Sequence, residues 1–513
     1  MIAGFATPIG TQTYAAKHRS LPYSELGRTG LRVSQAGFGG YRISSGTAEH
    51  EKALTKALTE GVNLIDTSAN YADGGSEELV GAVLEKLIRF DRLARDAVVL
   101  VSKGGYIQGQ NYGLSQARKQ RGRPFADLVP YGEGLEHCIH PEFLEDQLTR
   151  SLKRLNAETL DVYLLHNPEY YLSWAARNGH PLSEARPEYY RRIRLAFEHL
   201  ETEVARGRIR GYGISSNTFP VPAEDPQFTC LQTVWETAAS LSATNHFQVI
   251  QFPMNLLETG ALRVSNQPDG GSVLGFAREK QLGVLINRPL NAIGGKRLIR
   301  LTDEPPRSPL SETEIEGRIA ELIQSEKILE TDVLPALDIL PDLRPRVTAQ
   351  TVSGEMLRQR WRHFGDLERW RQVVSAYFLP RIGGVFDFLR QQAAGNPGVD
   401  EWIHTHQAVL QNALQAVSTV YEAAAAIQAE KIMCGVAASD PDWNEAISLS
   451  RAAIRALRST AGIHTVLVGM RRESYVQDVL EELKTPVEVT DRWLSWQTLR
   501  NTIRDIDVES GSA

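Results

Sequence analysis

The sequence predicts an α/β protein, a (β/α)8 TIM barrel with an inserted all-helical subdomain. Short apolar segments rich in β-branched residues alternate with helix-like segments along most of the chain, the pattern of a parallel sheet covered by helices. Eight such strand–helix units are present, and eight units close a barrel. The alternative is an open doubly wound sheet, but no GxGxxG turn follows any predicted strand.

The first seven strands are predicted before residue 291. In chain order they are VSQAGFGG, GVNLIDTS, AVVLVSK, LDVYLLH, IRGYGIS, FQVIQFPM and LGVLINRPL. Helical periodicity fills the intervals; PEFLEDQLTRSLKRLN, for example, carries apolar residues three or four positions apart. The eighth strand, GIHTVLVG, comes only after a further 150 residues or so, and RESYVQDVLEEL follows it as the last barrel helix.

This spacing divides the chain into five segments. We expect a flexible tail over 1–20, barrel strands one to seven over 21–295, a helical insertion over 296–439, the completion of the barrel over 440–490, and a C-terminal segment over 491–513. Because βα loops emerge at the catalytic face of a barrel, we expect the insertion to roof the active site. Contact with a second subunit is the lesser alternative.

Composition narrows the class of protein and its partners. The 513 residues include 56 Lys and Arg against 62 Asp and Glu, a net charge of −6, which leaves no basic excess for nucleic acid or anionic lipid. Three cysteines provide no disulfide framework, so we expect a reducing, cytoplasmic location. No apolar run reaches membrane-spanning length; a short targeting segment at the N-terminus stays open.

Four chemically active side chains are predicted at one face of the barrel. Asp66 ends strand two and Tyr71 follows it in the loop, while Lys103 ends strand three and His166 ends strand four. A single strand-end charge is usually structural. Four of them at the carboxyl ends of adjacent strands predict an active site.

The surrounding segments resemble the aldo-keto reductase superfamily. The resemblance is carried by LPYSELGRTGLRVSQAGFGG, IDTSANYADGGSEELVG, LLHNPE and GYGISSNTF, and it covers about 21–295 and 442–483, leaving out the insertion. It implies a catalytic tetrad of Asp66, Tyr71, Lys103 and His166. It also implies a nicotinamide cofactor and a small carbonyl or alcohol substrate.

The chemistry of the four side chains agrees with that implication. Hydride transfer to a carbonyl requires a proton donor, and a phenol with a pKa of about 10 is a poor one. An adjacent ammonium group lowers the phenol pKa, and a carboxylate orients the ammonium. We therefore expect Tyr71 to be the general acid/base and Lys103 to lower its pKa. We expect Asp66 to be the partner of the lysine and His166 to orient the carbonyl.

The resemblance also implies where the cofactor is held. Ser216 and Asn217 after strand five and Gln251 at the end of strand six match the positions that hold the nicotinamide carboxamide, and Ser215 remains an alternative. Residues after strands one and eight match positions near the cofactor: Gly39, Gly40, Tyr41, Gly469, Arg471 and Arg472. The arginine pair at a helix start suits a phosphate. We expect NADP(H), with NAD(H) left open because Asp478 and Val479 replace the Glu-Asn pair that often closes this motif.

One further departure from the family pattern follows strand seven. The chain has Asn287-Arg288-Pro289-Leu290 where an aromatic residue precedes Ser-Pro-Leu, so the ring that stacks on the nicotinamide is missing. Arg288 is a candidate for the cofactor pyrophosphate or a substrate carboxylate; the alternative is an ion pair with an acidic residue of the insertion. No metal site is predicted, because His404 and His406 lie about 200° apart on a helix.

Three functional interpretations follow. The first is a carbonyl reductase or alcohol dehydrogenase dependent on NADP(H) or NAD(H). The second is a regulatory or sensing subunit of the same fold that binds the nucleotide and turns over slowly. A cofactor-free interaction scaffold is a weaker third, because the tetrad is intact.

Overall fold

The computed structural model describes residues 1–294, 297–393 and 396–506. They separate into two compact units. One comprises Met1–Leu290 and Val436–Thr502, and the other comprises Asn291–Gly435 and the chain from Ile503. The predicted boundaries at 296 and 439 therefore lie a few residues C-terminal to those of the structure.

The described residues form fifteen strands. In chain order they are β1 (Tyr23–Glu25), β2 (Arg32–Ser34), β3 (Ala36–Gly39), β4 (Leu64–Asp66), β5 (Val99–Gly104), β6 (Tyr106–Ile107), β7 (Val129–Gly132), β8 (Leu135–His137), β9 (Leu160–His166), β10 (Ile209–Ser215), β11 (Phe247–Pro253), β12 (Gly283–Asn287), β13 (Asn291–Gly294), β14 (Arg297–Arg300) and β15 (Thr465–Val468). Eight of them, β3, β4, β5, β9, β10, β11, β12 and β15, pair in parallel in that order and close on β3 as a barrel. The (β/α)8 prediction is confirmed.

The α-helices of the described residues lie mainly between these strands or in the second unit. They are α1 (Pro8–Lys17), α2 (Ala48–Thr59), α3 (Gly75–Arg89), α4 (Gln110–Gln120), α5 (Pro141–Arg154), α6 (Tyr170–Arg177), α7 (Leu182–Ala205), α8 (Leu231–Leu241), α9 (Gly260–Arg263), α10 (Val273–Glu279), α11 (Glu312–Ile328), α12 (Arg344–Thr351), α13 (Gly354–Arg360), α14 (Leu367–Val373), α15 (Leu379–Gln392), α16 (Pro397–Ser439), α17 (Pro441–Asn444), α18 (Leu449–Arg458), α19 (Glu473–Lys484) and α20 (Trp493–Thr502). Within the part of the chain that the structure describes, none of the helices is long and apolar enough to cross a membrane.

The barrel interior is filled by branched apolar side chains from neighbouring strands. Val101 lies opposite Val162 in the β5–β9 register, and Leu64 lies opposite Val99 in the β4–β5 register. All four are at most 1% exposed and belong to one apolar cluster. The barrel is therefore a packed core, which leaves its carboxyl-terminal face for chemistry.

The amino-terminal end of the barrel is covered by residues that precede β3. β1 pairs with β2 as the expected hairpin, and Leu26 and Leu31 of this hairpin join the interior cluster. The prediction of a flexible tail over 1–20 is wrong, because α1 packs here: the buried Tyr14 donates its hydroxyl proton to the carbonyl of Leu58 at 2.6 Å. A ten-residue helix with one large buried anchor gives little periodic signal in sequence.

The second unit is mostly helical, as predicted, and has its own core. Trp370 stacks on Tyr421 with ring centroids 5.8 Å apart, and its indole N–H donates to Ser418 Oγ at 2.8 Å. The helical subdomain also contains one short antiparallel hairpin that was not predicted, in which β13 pairs with β14. Four residues a strand is too short a run for its alternation to stand out.

The loop after β5 has structure of its own within the barrel unit. β6, β8 and β7 form a three-stranded antiparallel sheet, and α4 packs beside it over a small cluster with buried Ile107, Phe125 and Cys138. α6 follows β9 at the same face of the barrel. These segments build the walls around the strand ends.

Candidate active site

The carboxyl ends of β4, β5 and β9 bring the four predicted catalytic residues together. Lys103 Nζ lies 2.7 Å from Asp66 Oδ2 and donates to the Tyr71 hydroxyl at 3.2 Å. It also donates to the carbonyl of Thr67 at 3.0 Å, so its three protons all have acceptors. The ammonium is fully buried and fixed between the carboxylate and the phenol.

Burial and charge set the proton affinities of this group in opposite directions. Burial raises the pKa of Tyr71 above 10, while the adjacent Lys103 charge lowers it in part. Burial lowers the pKa of Lys103, but Asp66 and Tyr71 outweigh that effect and the net pKa is raised. In this state the phenol is protonated and the ammonium charged, which is the form a proton donor requires.

His166 faces the same group as a neutral imidazole. Burial lowers its pKa well below 6.5, and the charges of Lys103 and His137 lower it further. Its Nδ1 lies 3.1 Å from Ser68 Oγ. Its ring centroid is 5.9 Å from that of Tyr71, nearly perpendicular to it. A neutral imidazole at this place can donate a hydrogen bond to an oxygen that also accepts one from Tyr71.

The loops that carry these side chains adopt left-handed backbone at residues other than glycine. Ala72 and Asp73 have φ of 49° and 53° directly after Tyr71, and Asn167 has φ of 50° directly after His166. Asp73 is held by the backbone N–H of Gln110, which donates to its carboxylate at 3.1 Å. Such conformations cost free energy and concentrate at functional sites.

Aromatic rings line the surroundings of Tyr71 and His166. Tyr41 contacts the Tyr71 ring edge-on at 5.2 Å, with 65% of its surface exposed. Tyr106 contacts the His166 ring edge-on at 4.7 Å, and Tyr170 in turn contacts Tyr106 at 5.0 Å. Tyr106 and Tyr170 were not predicted as site residues, because the sequence does not show which loop rings turn toward the barrel axis.

The residues after β10 and β11 separate into two groups. Ser215 Oγ donates to Gln251 Oε1 at 2.9 Å, and Gln251 Nε2 donates to Asp66 Oδ1 at 2.8 Å. The Ser216 hydroxyl is fully buried against Thr218, at 3.2 Å. Asn217 alone of the three candidates Ser215, Ser216 and Asn217 is only partly buried. The structure thus brings Gln251 into the tetrad and leaves the Asn217 side chain accessible for a ligand.

Glu169 is a site residue that the sequence analysis did not select. It is 3% exposed, three positions after His166, and its Oε1 accepts from the backbone N–H of Asn217 at 2.8 Å. The signal was present in HNPE, where a carboxyl follows the strand end. A glutamate so placed usually caps a helix in solvent, and only the structure shows that this one is buried.

The glycines after β3 are required by close packing. The backbone N–H of Gly40 donates to the carbonyl of Asp66 at 2.8 Å. A Cβ at Gly40 would lie 2.8 Å from Ser76 Oγ, and one at Gly39 would lie 3.2 Å from the carbonyl oxygen of Val468. Gly39 and Gly40 therefore have a packing role that does not depend on a cofactor, in addition to the expected one.

Arg288 is held by the barrel unit itself. Its Nη2 lies 2.9 Å from Glu258 Oε1, in the loop after β11, so its acidic partner is not in the insertion. Its φ of 53° is again left-handed. The preceding Asn287 has a buried Oδ1 with no hydrogen-bond partner among the described residues. A polar amide therefore occupies the place where the resemblance implies a stacking ring.

The segment after β15 leads into the start of α19. Arg472 is the N-cap residue, with no side-chain cap, and Arg471 precedes it. Arg472 is half-exposed, and its Nε lies 3.6 Å from a carboxylate oxygen of Glu49. A Cβ at Gly469 would contact nothing within 4 Å. Gly469, Arg471, Arg472 and the start of α19, which has no side-chain cap, thus follow one another along this segment.

Comparison with known proteins points to one family. Residues 36–224 match the sequence model of the Aldo/keto reductase family. The chain is 28% identical over 149 residues to an NADH-specific methylglyoxal reductase of Escherichia coli (strain K12), a match of 28% of this chain and 40% of that protein. It is 32% identical over 157 residues to a probable voltage-gated potassium channel subunit beta of Oryza sativa subsp. japonica, a match of 29% of this chain and 38% of that protein.

The chain thus spans about two fifths of the length of these two relatives. A Klebsiella pneumoniae aldo/keto reductase, solved in complex with NADP and acetate, is 24% identical, with a TM-score of 0.33, over 52% of this chain and 67% of that one. The family match covers the segment with β3, β4, β5, β9 and β10, where Asp66, Tyr71, Lys103 and His166 lie. The comparisons support the aldo-keto reductase superfamily for residues 36–224 of this chain.

Proposed function

We propose that this protein interconverts a carbonyl and an alcohol, with NADP(H) or NAD(H) as the hydride carrier. The observation that carries the proposal is the buried Lys103 ammonium, bonded at once to the Asp66 carboxylate and the Tyr71 phenol. An arrangement maintained only for stability would gain little from it, since burying an ion pair usually costs about what it returns.

The residues present fit a nicotinamide dinucleotide. Asn217 and the orphaned Asn287 Oδ1 would hold the nicotinamide end, Arg288 would lie beside the pyrophosphate, and Arg471 and Arg472 at the start of α19 would hold a 2′-phosphate. The cofactor, when bound, supplies or accepts the hydride. The methylglyoxal reductase among the relatives is named as NADH-specific, which fits a site that does not exclude NAD(H).

The side chains supply the proton chemistry. Tyr71 donates its hydroxyl proton to the carbonyl oxygen as that oxygen gains negative charge, and His166 donates a second hydrogen bond to it. Lys103 stabilises the phenolate left on Tyr71, while Asp66 keeps the lysine charged and in place. In the alcohol-oxidising direction the same phenolate accepts the proton.

Tyr71→Phe tests this assignment. It removes only the proton donor, so we expect kcat for the best aldehyde to fall by about two to four orders of magnitude. NADPH affinity, measured by fluorescence titration, should stay within about threefold because the ring is kept. Tyr23→Phe is the matched control, since the Tyr23 hydroxyl donates to the backbone carbonyl of Gly61 at 2.7 Å and belongs to the hairpin at the amino-terminal end of the barrel. Near-normal turnover in Tyr71→Phe would overturn the assignment.

A regulatory subunit is the second candidate, favoured by the similarity to the rice protein named as a probable channel subunit. Such a subunit would bind NADPH with the same residues but turn over slowly. Single-turnover oxidation of bound NADPH by a panel of aldehydes separates the two. An enzyme completes it within seconds, whereas a sensor leaves the cofactor reduced for minutes or longer.

A further inference from the structure

Glu169 is a buried carboxyl group that the proposed chemistry does not use. It follows the last residue of β9 by three positions, and its Oε1 accepts the Asn217 backbone N–H at 2.8 Å. Asn217 lies directly after Ser215 and Ser216, where the nicotinamide end is expected. The carboxyl group therefore supports the segment that would hold the cofactor ring.

Among the described residues, no basic side chain balances this carboxyl group. Across 1–294, 297–393 and 396–506, no Lys, Arg or His lies within 4.0 Å of its oxygens, and its Oε2 has no hydrogen-bond partner. The titratable groups around it are phenols: Tyr106 of β6, Tyr170 of α6 and Tyr189 of α7. Burial is the largest cause of the raised pKa of each phenol, and the negative charge of Glu169 raises it further.

This carboxyl group is therefore close to its midpoint at neutral pH. Burial raises the pKa of Glu169 to about 7, and the backbone amides of Glu169 and Asn217 and the Ser216 hydroxyl offset only part of that effect. A new charge placed nearby would shift the balance between its protonated and ionised forms. The oxidised nicotinamide ring carries such a positive charge, and the reduced ring does not.

We propose that Glu169 is a positioning residue that distinguishes the two redox states of the cofactor, its carboxylate favouring the oxidised, positively charged ring. The inference rests on the proposed function. It follows from three observations on the described residues: burial without a basic partner, an Oε2 with no hydrogen-bond partner, and the bond to the Asn217 backbone. In catalysis the same carboxylate favours hydride donation, because positive charge develops on the ring in that direction.

The direction of the pH effect follows from linkage. Binding of NADP+ lowers the pKa of Glu169 and releases its proton to solvent, so NADP+ binds more tightly as pH rises toward the pKa of the free protein. Binding of NADPH brings no such charge. The ratio Kd(NADP+)/Kd(NADPH) should fall by about tenfold between pH 5.5 and 8.5, the equivalent of about one pKa unit of coupling. The 2′-phosphate titrates in both ligands and cancels in the ratio.

The experiment measures both affinities by calorimetry on the full chain, over this pH range and in two buffers of different ionisation enthalpy. At pH 6.5 wild type should release more protons on binding NADP+ than on binding NADPH, by a fraction of a proton, because the 2′-phosphate contributes equally to both. Glu169→Gln cannot ionise, so its ratio should stay at the acidic wild-type value at every pH. Glu169→Asp keeps a carboxyl group, and its ratio should still fall with pH.

Glu326→Gln is the matched control. Glu326 lies in the second unit, also accepts backbone N–H groups, from Ser353 and Gly354, and has its pKa raised to about 7 by burial. In Glu326→Gln the ratio Kd(NADP+)/Kd(NADPH) should depend on pH as it does in wild type. A flat ratio in wild type would overturn the inference, and so would a flat ratio in Glu169→Asp or a normal slope in Glu169→Gln. Failure of the proposed function is separate, because it would show either as no binding of the two cofactor forms to wild type or as binding without turnover of the aldehyde panel, and neither result is read from the slope of the ratio.

Discussion

Gln251 and Asp66 are joined by a hydrogen bond in which Gln251 Nε2 donates to Asp66 Oδ1 at 2.8 Å, across 185 positions of sequence. The other carboxylate oxygen of Asp66 bonds Lys103. Gln251 is itself oriented by the hydroxyl of Ser215. A residue expected to hold the cofactor thus also orients the carboxylate of the tetrad.

We expect Gln251→Leu to lower kcat by about tenfold, because it leaves Asp66 Oδ1 buried without its donor, a loss of about 1–3 kcal/mol. Steady-state kinetics and NADPH titration together check this. Gln248→Leu, near the amino end of the same strand, is the control. If only the cofactor Kd rises and kcat is unchanged, Gln251 serves the cofactor alone.

The arginine pair provides a test of cofactor preference. Arg471→Ala combined with Arg472→Ala should weaken NADPH binding by at least about tenfold and NADH binding little, because only NADPH has a 2′-phosphate to lose. Fluorescence titration with both cofactors measures this. Equal losses for both would show that the pair does not contact the 2′-phosphate.

A substitution of Glu49 should have the opposite effect on NADPH binding. Its carboxylate lies 3.6 Å from Arg472 Nε and both side chains are exposed, so it competes with a phosphate for the guanidinium group. Glu49→Gln should tighten NADPH binding by about twofold to fivefold and leave NADH binding unchanged. Weaker NADPH binding in this variant would contradict the expected position of the phosphate.

The second unit provides a test of specificity. Because it is inserted after β12, and βα loops leave a barrel at its catalytic face, we predict that the second unit takes part in substrate selection. Replacing 291–435 by a short Gly/Ser linker should leave a folded barrel that binds NADPH, with altered substrate preference or much lower kcat/KM. Unchanged kinetics over the aldehyde panel would show that the second unit does not select the substrate and serves another role, such as binding a partner.

Because of the buried His464 side chain, we expect the stability of the barrel to fall at acidic pH. Burial lowers the pKa of His464 to about 4, and its Nδ1 accepts the Val284 N–H at 3.0 Å. Since the unfolded chain binds its proton near pH 6.5, the contribution of His464 to stability is complete above that pH and is lost as pH falls toward 4. His464→Asn should reduce the loss of unfolding free energy between pH 6.5 and 4.5 by about 2 kcal/mol. Urea unfolding at the two pH values measures it, and equal losses in both proteins would contradict the assignment.

The strands and helices of this fold can be predicted from the sequence wherever a hydrophobic periodicity extends over many residues. Seven of the eight barrel strands lie within the predicted segments and β5 extends one residue beyond its segment, to Gly104, because apolar strands alternate with amphipathic helices over about 250 residues. Short elements were missed for the converse reason. α1 and the β13–β14 hairpin each depend on contacts that no local pattern encodes, such as the bond from Tyr14 to Leu58.

The candidate site divides in the same way. Asp66, Lys103 and His166 are predictable because each stands where an apolar strand ends, and the structure brings all three to Tyr71 or its neighbours. Glu169 could not be predicted as a site residue, because the burial of its carboxyl group without a basic partner depends on tertiary packing that the local sequence does not encode. The partner of Arg288 was not predictable either, since Glu258 is thirty positions away in another loop.

The closure of the barrel has a consequence for synthesis of the chain. β15 pairs with both β12 and β3, with Val466 opposite Ala36 in the β15–β3 register. The ribosome synthesises about 5–20 residues per second. The interval between the synthesis of β3 and that of β15, with which it pairs, is therefore on the order of half a minute or more. During that time two strand edges stay open, and such edges pair readily with other chains. A transcript that ends inside the second unit would therefore yield an aggregating product, whereas the local contacts of that unit allow it to fold while the barrel is still waiting.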